Sequence, residues 1–389
     1  MLSPSLYEVV QPRPSHSHHT IRYIKSKELP QRGENNGNEK NNRLTNSVPT
    51  TDLITTYHEL NATHIDTLTT EPSPLEFLRY VARNRPFVVR GGAADWPAVR
   101  KWDAAYLSSV MGSAAVNVAM TPAGNADALV RDPVGSGELL FVKPFETREP
   151  FADVLRRIAE QELHGTDPDV VRYAQTQNDN LRNEYLALAE DVPASVPFAR
   201  IALAQPQGPD AVNFWLGNAR STTALHRDNY ENVYVQVCGR KHFALLPALA
   251  AAAVAEREAI AATYVPEDGS EVKKLVPQRD DPPAKVLWPT LDPDSPSYSS
   301  ANAFAECAPA MHVTLEPGDM LYLPALWYHK VSQSTSDEGI CCAVNYWYDM
   351  DFSGPLWALA TFARDVGRQV GGGGGGAAAG GTAGAETRA

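Results

Sequence analysis

Two histidines and one aspartate of this 389-residue sequence lie in β-like segments with a spacing that a metal centre can use. His226 and Asp228 are one residue apart, and in an extended segment such a pair projects from the same face. His329 follows much later, on an apolar run that begins at the turn 317–319. Two imidazoles and one carboxylate are the ligand set of non-haem Fe(II) oxygenases, so the sequence predicts an iron oxygenase.

The His-x-Asp pattern is a weak signal by itself, because a chain with ten histidines contains such pairs by chance. A second pair, His64 and Asp66, precedes the first marked helix start and is far from any β-rich segment. We interpret that pair as a chance occurrence. Alone, His329 would be an ordinary core histidine, and the upstream pair is what makes it the candidate third ligand.

The stretch 213–347 consists of short apolar runs separated by turns, which is typical of a β-sandwich or barrel. Two segments interrupt the pattern. The Ala-rich segment 248–263 predicts a helix, and the segment 266–303, rich in Pro, Asp and Ser, predicts a loop. A loop of this length in a compact domain is more often functional than idle.

Helical signals flank the β-rich stretch. Ser73, Pro74 and Glu76 match a helix start with a capping box. The segments 150–163 and 355–369 carry apolar residues at helical spacing, and the second could pack on the domain or on another subunit.

Composition divides the chain further. Residues 1–50 are polar and predict an unstructured tail, and the Gly/Ala-rich residues 371–389 predict another. Between them we expect an N-terminal α/β region at 51–200, a catalytic core at 201–350 and a C-terminal helix at 351–370.

The net charge of -12 argues against direct nucleic-acid binding, which needs a basic face, and it suits a lysine-bearing protein substrate. Four cysteines without metal-type spacing suggest neither a zinc site nor a disulfide framework and favour a reducing compartment. No apolar stretch is long enough for a membrane span. We therefore expect a cytoplasmic or nuclear protein without a membrane partner.

Oxygen activation at such an iron needs electrons, and a 2-oxo acid is a common source. Its distal carboxylate requires a buried cation, which Lys241 could supply if it does not face solvent at a sheet edge. Thr223 could add a hydroxyl. The segment 170–177 alternates like a strand and places Tyr173, Gln175 and Gln177 on one face, for which periodicity alone favours solvent.

These residues fall in a larger pattern. The segments T-x-x-H-x-D (223–228), PGDxLYxPxxWxH (317–329) and VNxW (344–347) resemble the JmjC-domain 2-oxoglutarate oxygenases of the asparaginyl- and lysyl-hydroxylase branch. TPAGNADA (121–128) and YENVY (230–234) are similar to a subgroup of bifunctional peptidases and (3S)-lysyl hydroxylases. The likeness runs from about residue 70 to about residue 365.

The resemblance implies a role for each matching residue. The Fe(II) ligands would be His226, Asp228 and His329. The residues around 2-oxoglutarate would be Lys241, Thr223 and Tyr173 at its distal carboxylate, with Asn232 and Asn345 at its chelating end. The substrate side or the floor of the pocket would be formed by Gln175, Tyr234 and Trp347. These roles replace the solvent-facing interpretation of Tyr173 and the edge interpretation of Lys241.

The implied fold is mainly β, a double-stranded β-helix or cupin jelly roll with N-terminal helical additions and a C-terminal helix that related enzymes use for dimerisation. The implied reaction is (3S)-hydroxylation of a lysine in a protein such as a translation-associated GTPase. Three alternatives remain: an endopeptidase of methylated histone tails, a histone demethylase, and a non-catalytic cupin that binds a partner. Demethylases usually carry His-x-Glu, and a non-catalytic cupin predicts loss of a ligand or of the lysine.

Overall fold

The computed structural model describes residues 49–61, 63–133, 137–267, 272 and 274–371. The two predicted tails, apart from residues 49, 50 and 371, lie outside the described residues. The α-helices are α1 (Pro49–Asn61), α2 (Pro74–Arg83), α3 (Pro97–Lys101), α4 (Ala104–Met111), α5 (Phe151–His164), α6 (Pro197–Ala202), α7 (Tyr298–Ala301), α8 (Ala303–Cys307) and α9 (Pro355–Gly371). The 3₁₀ helices span Asn180–Arg182, Leu186–Asp191 and Ala248–Val254.

Strands contribute more residues to the described chain than helices do. In sequence order they are β1 (Asp66–Leu68), β2 (Phe87–Val89), β3 (Ala115–Thr121), β4 (Asn125–Ala126), β5 (Ala128–Arg131), β6 (Leu139–Lys143), β7 (Phe145–Pro150), β8 (Val171–Tyr173), β9 (Ala211–Gly217), β10 (Thr222–His226), β11 (Tyr230–Cys238), β12 (Arg240–Leu246), β13 (Arg257–Pro266), β14 (Leu275–Arg279), β15 (Lys285–Trp288), β16 (Met311–Leu315), β17 (Met320–Leu323), β18 (Tyr328–Ser334) and β19 (Cys341–Asp349).

Two sheets form the body of the fold. One has the order β1-β2-β17-β11-β19-β9 and the other the order β16-β12-β18-β10-β4. Tyr234 and Leu323 of the first sheet and Phe243 and Val331 of the second belong to a single buried cluster, so the two sheets pack face to face. This arrangement agrees with the predicted mainly-β, cupin-like class.

Helices cover the outer face of the six-stranded sheet. Phe77 of α2 and Leu155 of α5 share a larger buried cluster with Phe214 of β9. The predicted start of α2 is confirmed, because the Ser73 hydroxyl accepts from the Glu76 N–H and the Glu76 carboxylate accepts from the Ser73 N–H. The predicted helix at 150–163 is also confirmed, as α5.

The predicted helix at 248–263 is wrong over its second half. A 3₁₀ helix ends at Val254, Ala255 is left-handed with φ 48°, and β13 then begins at Arg257. Strand β13 pairs with β6, β14 and β15, and this pairing outweighs the helical propensity of its alanines. The predicted loop at 266–303 is wrong for the same reason, since it contains β14 and β15.

The N-terminal region and the core share one sheet. Strand β2 pairs with β17, with Phe87 opposite Tyr322, so residues before position 200 extend the six-stranded sheet. The predicted boundary at residue 200 stays a prediction.

The C-terminal helix α9 packs on the 3₁₀ helix Ala248–Val254. At Gly367 the approach is close, since a Cβ there would lie 2.8 Å from the Ala252 Cβ. Arg364 pairs with the carboxylate of Glu256, whose side chain is only 3% exposed, and Glu256 also accepts a hydrogen bond from the Tyr328 hydroxyl at 2.9 Å. Tyr328 immediately precedes His329, so α9 is connected to a predicted ligand strand.

Among the described helices, none combines the length and apolar character that a membrane span requires.

Candidate metal centre

Two neighbouring strands bring the predicted ligands together. Strands β10 and β18 are antiparallel, and His226 lies directly opposite His329, with a register shift between Thr223 and His226. Asp228 follows β10, where its carbonyl accepts the Leu326 N–H at 2.8 Å. Each residue offers one ligand atom, and the three atoms lie within 4.8 Å of one another.

Backbone carbonyls fix the orientation of both imidazoles. The Nδ1 atom of His226 lies 2.8 Å from the Ala224 carbonyl, and that of His329 lies 3.0 Å from the Trp327 carbonyl. Since a carbonyl can only accept, each Nδ1 donates to it, and Nε2 is the ring nitrogen left to face a metal. The Nε2 atoms lie 3.7 and 3.6 Å from Asp228 Oδ2, which is the donor arrangement that a divalent metal needs.

The charge states also suit a metal. Burial acts to raise the pKa of Asp228, but the charges of His226 and His329 lower it overall, so the group stays a carboxylate. Burial, together with the charge of His226, lowers the pKa of His329 to about 4, which keeps that imidazole neutral. A carboxylate and a neutral imidazole bind a metal without first losing protons.

A cavity opens on this centre. Its lining includes residues from both sheets and from the segment that contains and follows β8: Tyr173, Gln177, Trp215, Thr223, Asn232, Tyr234, Phe243, Leu323, Val331, Asn345 and Trp347, together with the three predicted ligands. Eight other residues were predicted to belong to the site, and six of them are in this lining. Lys241 is hydrogen-bonded to one lining residue, Tyr173, and Gln175 is the exception.

Lys241 is buried at 2% exposure on β12, between β16 and β18. Its Nζ donates to the Tyr173 hydroxyl at 2.7 Å, and in the described part of the chain no carboxylate forms an ion pair with it. A buried cation without a counter-charge is costly unless an anion binds. The interpretation of Lys241 as an edge lysine and of Tyr173 as solvent-facing is therefore wrong, and the pair fits the distal carboxylate of a 2-oxo acid.

Comparison with known proteins now adds to this geometry. Residues 73–354 match the family model described as a cupin-like domain. The chain is also 34% identical over 296 residues to the JmjC domain-containing protein E of Dictyostelium discoideum, across 72% of this chain and 83% of that protein. The chain belongs to the cupin-like JmjC family. The predicted cupin fold is thereby confirmed.

Two further JmjC relatives carry activities in their names. The human bifunctional peptidase and (3S)-lysyl hydroxylase JMJD7 is 40% identical over 283 residues, across 72% of this chain and 83% of the relative. The Lysine-specific demethylase JMJ32 of Arabidopsis thaliana is 35% identical over 298 residues, across 75% and 83%. JmjC enzymes typically use Fe(II) and 2-oxoglutarate, and this chain is a dioxygenase of that class.

Two asparagines of the JmjC cavity form a polar pair. The Asn345 side-chain N–H donates to the Asn232 amide oxygen at 3.1 Å, and the Asn345 amide oxygen accepts from the Trp215 indole at 2.8 Å. Both asparagines line the cavity beside the metal-facing groups. Their predicted contact with the chelating end of 2-oxoglutarate fits this position and stays a prediction.

Tyr234 and Trp347 line the same cavity and are almost fully buried. The Trp347 indole stacks on Tyr230 with the ring centroids 4.7 Å apart, and in the described structure its buried N–H has no partner. Gln175 is buried outside the lining, whereas Gln177, two residues later, is part of it. The predicted substrate role of Gln175 therefore gains no support from the cavity.

Sequence reasoning assigned no role to two residues beside the JmjC centre. Trp288 of β15 lies parallel to the His226 ring, with an interplanar angle of 4° and 6.4 Å between the centroids. Asp127 follows β4, the strand that pairs with β10. Trp288 was hidden in a predicted loop, whereas Asp127 belongs to the segment 121–128 that the resemblance already included.

Proposed function

We propose that this JmjC dioxygenase is a protein hydroxylase that adds oxygen to C3 of a lysine side chain. The observation that carries the proposal is the three-donor set whose two Nε2 atoms both face Asp228, in a cavity bounded by the Tyr173–Lys241 pair. A non-catalytic cupin would have no need to retain a complete donor set together with an unpaired buried cation.

Each group has a definite task in this proposal. His226, Asp228 and His329 would hold Fe(II) on one face and leave its other face open. Lys241, Tyr173 and Thr223 would hold the distal carboxylate of 2-oxoglutarate, with Asn232 and Asn345 at its other end. When bound, iron and 2-oxoglutarate supply the oxidising chemistry with O2. The buried aromatic walls of the cavity exclude water and hold the reacting C–H bond in place.

The choice of lysine rests on similarity and on charge. The human relative is named as a (3S)-lysyl hydroxylase, and the net charge of -12 suits a cationic side chain. A translation-associated GTPase as the substrate protein rests on the resemblance alone.

The test is hydroxylation of a lysine-containing GTPase peptide by the full chain with Fe(II), 2-oxoglutarate and O2. We expect succinate formation together with the gain of one oxygen on lysine, located by tandem mass spectrometry. Both should disappear in an Asp228→Ala variant. Succinate that is formed without any modification of lysine, across a panel of such peptides, would refute the lysine assignment.

The names of the relatives also motivate a second candidate, which acts on a methylated lysine. The same three residues would hold the iron that, with 2-oxoglutarate and O2, supplies the oxidising chemistry for an N-methyl carbon, whose methyl group would then leave as formaldehyde. A trimethyl-lysine peptide placed in the same assay separates the candidates, because demethylation removes methyl mass whereas C3 hydroxylation adds oxygen. Cleavage of the peptide that depends on Asp228 would instead favour the peptidase activity named for the human relative.

We also propose that α9 mediates a homodimer. Its Ala360 and Ala363 face the protein, whereas Leu359 and Phe362 are 44% and 64% exposed. Two apolar side chains left in water on one helix suit a self-complementary contact. Light scattering should show a dimer for the wild-type chain and a monomer for Phe362→Glu, and an unchanged mass would refute the contact.

A further inference from the structure

The proposed iron and 2-oxoglutarate roles leave one carboxylate beside the metal-facing strand unused. Asp127 follows β4, which runs parallel to β10 with Asn125 opposite Thr222 and Ala126 opposite Thr223. Paired strands are about 5 Å apart, so Asp127 is one strand spacing from the segment that ends at His226.

Within the part of the chain that the structure describes, the Asp127 carboxylate is bonded to no cation. Its side chain is partly buried, and among the described residues no donor forms a hydrogen bond or an ion pair with its carboxylate. Lys143, whose positive charge acts to lower the pKa of Asp127, forms an ion pair with Asp280 at 2.7 Å. Glu146 adds a second negative charge nearby. Burial raises the pKa of Asp127 to about 6, against the opposing charge of His226, so this position favours the arrival of a cation.

The backbone fixes the position of this carboxylate. Asp127 is left-handed, with φ 51°, between two paired strands. Before it Ala126 pairs with Thr223, and after it Ala128 pairs with Val142. Both flanking residues are tied into sheets, so the carboxylate cannot move away as a loop side chain could.

An aromatic wall accompanies the carboxylate at the metal centre. Trp288 lies parallel to the His226 ring and packs on Phe141 with the ring centroids 4.5 Å apart. Trp288 and Asp127 are both neighbours of His226, and an indole face suits an alkyl chain that ends in a cation, because the chain can contact the ring while the charge reaches an acid.

We propose that Asp127 receives the ε-ammonium group of the substrate lysine, with Trp288 beside the alkyl chain, and that this contact selects lysine over neutral side chains. The inference rests on the proposed lysyl hydroxylation. In an extended lysine the nitrogen is roughly 5 Å from C3, four bonds away. This length matches one strand spacing, so C3 can lie at the metal centre while the ammonium group reaches Asp127.

The test compares Asp127→Asn with the wild type on two peptides, one with lysine and one with norleucine, which has a similar alkyl chain but no amine. Asparagine tolerates the left-handed conformation, so the variant should fold. We expect the KM for the lysine peptide to rise about 30-fold or more, as for the loss of one partner of a buried charge pair. Glu146→Gln, which removes the neighbouring acid, should keep the wild-type KM.

A binding measurement separates this inference from the proposed reaction. Calorimetry without O2 gives the affinity of each protein for both peptides. The wild type should prefer lysine at least tenfold, and Asp127→Asn should show no preference. A variant that still prefers lysine, or a loss of preference in Glu146→Gln instead, overturns the assignment. If the binding preference is present but no hydroxylysine is formed, the proposed hydroxylation fails and the assignment of Asp127 stands.

Discussion

Two His-x-Asp pairs in this chain have the same internal geometry and opposite surroundings. The Nε2 atom of His64 lies 3.7 Å from the Asp66 carboxylate, and the Nε2 atom of His226 lies 3.7 Å from that of Asp228. The His64 side chain, however, is 74% exposed, whereas that of His226 is 14% exposed. Sequence spacing therefore sets the distance within a pair, and it does not decide whether the pair can serve a metal.

Neighbouring groups make the difference. Asp228 lies 3.6 Å from a second imidazole, that of His329. The Asp66 carboxylate instead accepts a hydrogen bond from the Tyr80 hydroxyl at 3.1 Å and forms an ion pair with Arg85 at 3.4 Å. A guanidinium beside the carboxylate excludes a metal cation, and a third ligand attracts one. The contrast can be tested by removing each feature in turn.

Removal of a ligand should have the largest effect. Asp228→Ala should lower peptide-dependent succinate formation by more than about 100-fold, because changes at groups that merely support a ligand already cost 10–100-fold in metal affinity or activity. Metal content, measured by mass spectrometry of the purified protein, should fall in parallel. The matched change at the exposed pair, His64→Ala, should leave both quantities unchanged. A comparable loss in His64→Ala would show that the two pairs do not differ as described.

The buried cation should have the next largest effect. Lys241→Met keeps most of the side-chain volume but removes the charge, and we expect the KM for 2-oxoglutarate to rise about 30-fold or more. Folding should be retained, since the variant removes an unpaired buried charge. Lys285→Met, at a lysine that is 68% exposed and paired with Glu258, is the control. An unchanged KM in Lys241→Met would remove the basis for its assignment to 2-oxoglutarate.

A smaller effect, which depends on pH, is expected at Asp127, the carboxylate beside the His226 strand. The pKa of Asp127 is about 6 in the folded protein against an ordinary 3.8, so the folded state binds this proton more tightly than the unfolded chain does. Its contribution to stability is therefore lost as pH rises from about 4 to about 6. In scanning calorimetry, the Tm of Asp127→Asn minus the Tm of the wild type should increase by roughly 2–4 °C as pH rises from about 4 to about 6. A constant Tm difference would contradict the burial of this charge.

The smallest effect is expected at the exposed pair. Asp66→Asn removes the ion pair with Arg85 and weakens the bond from Tyr80, which should lower the free energy of unfolding by about 1 kcal/mol. Urea denaturation gives this value, and the KM for 2-oxoglutarate should not change. A change in metal content would mean that Asp66 contributes to the centre after all.

The sequence predicted the features that depend on local spacing. The capping box at Ser73 and the paired side chains of His226 and Asp228 are set within a few residues, and His329 could be added because it follows the turn at 317–319 and the upstream pair lacks a third ligand. The contact between Tyr173 and Lys241 was different: periodicity placed Tyr173 in solvent, and only the resemblance corrected this. That contact depends on the packing of separate sheets, which no local pattern encodes.

Long-range pairing also explains what was missed. The alanines of segment 248–263 favour a helix in isolation, yet β13 gains three strand partners, which local propensity cannot anticipate. This strand places β15, and therefore Trp288, beside His226. Asp127 acquires its position through the pairing of β4 with β10 and of β5 with β6. Both residues are functional candidates because distant segments meet.

The ion pair between Glu256 and Arg364 bears on how long a fragment of this chain must be to stay active. The family match stops at residue 354, whereas the cation that balances the nearly buried Glu256 comes from residue 364. Proteolytic removal of α9 would leave the Glu256 carboxylate without its cation, against Tyr328 and next to a predicted iron ligand. We therefore expect the smallest catalytically competent fragment to be longer than the homologous domain and to extend at least to Arg364.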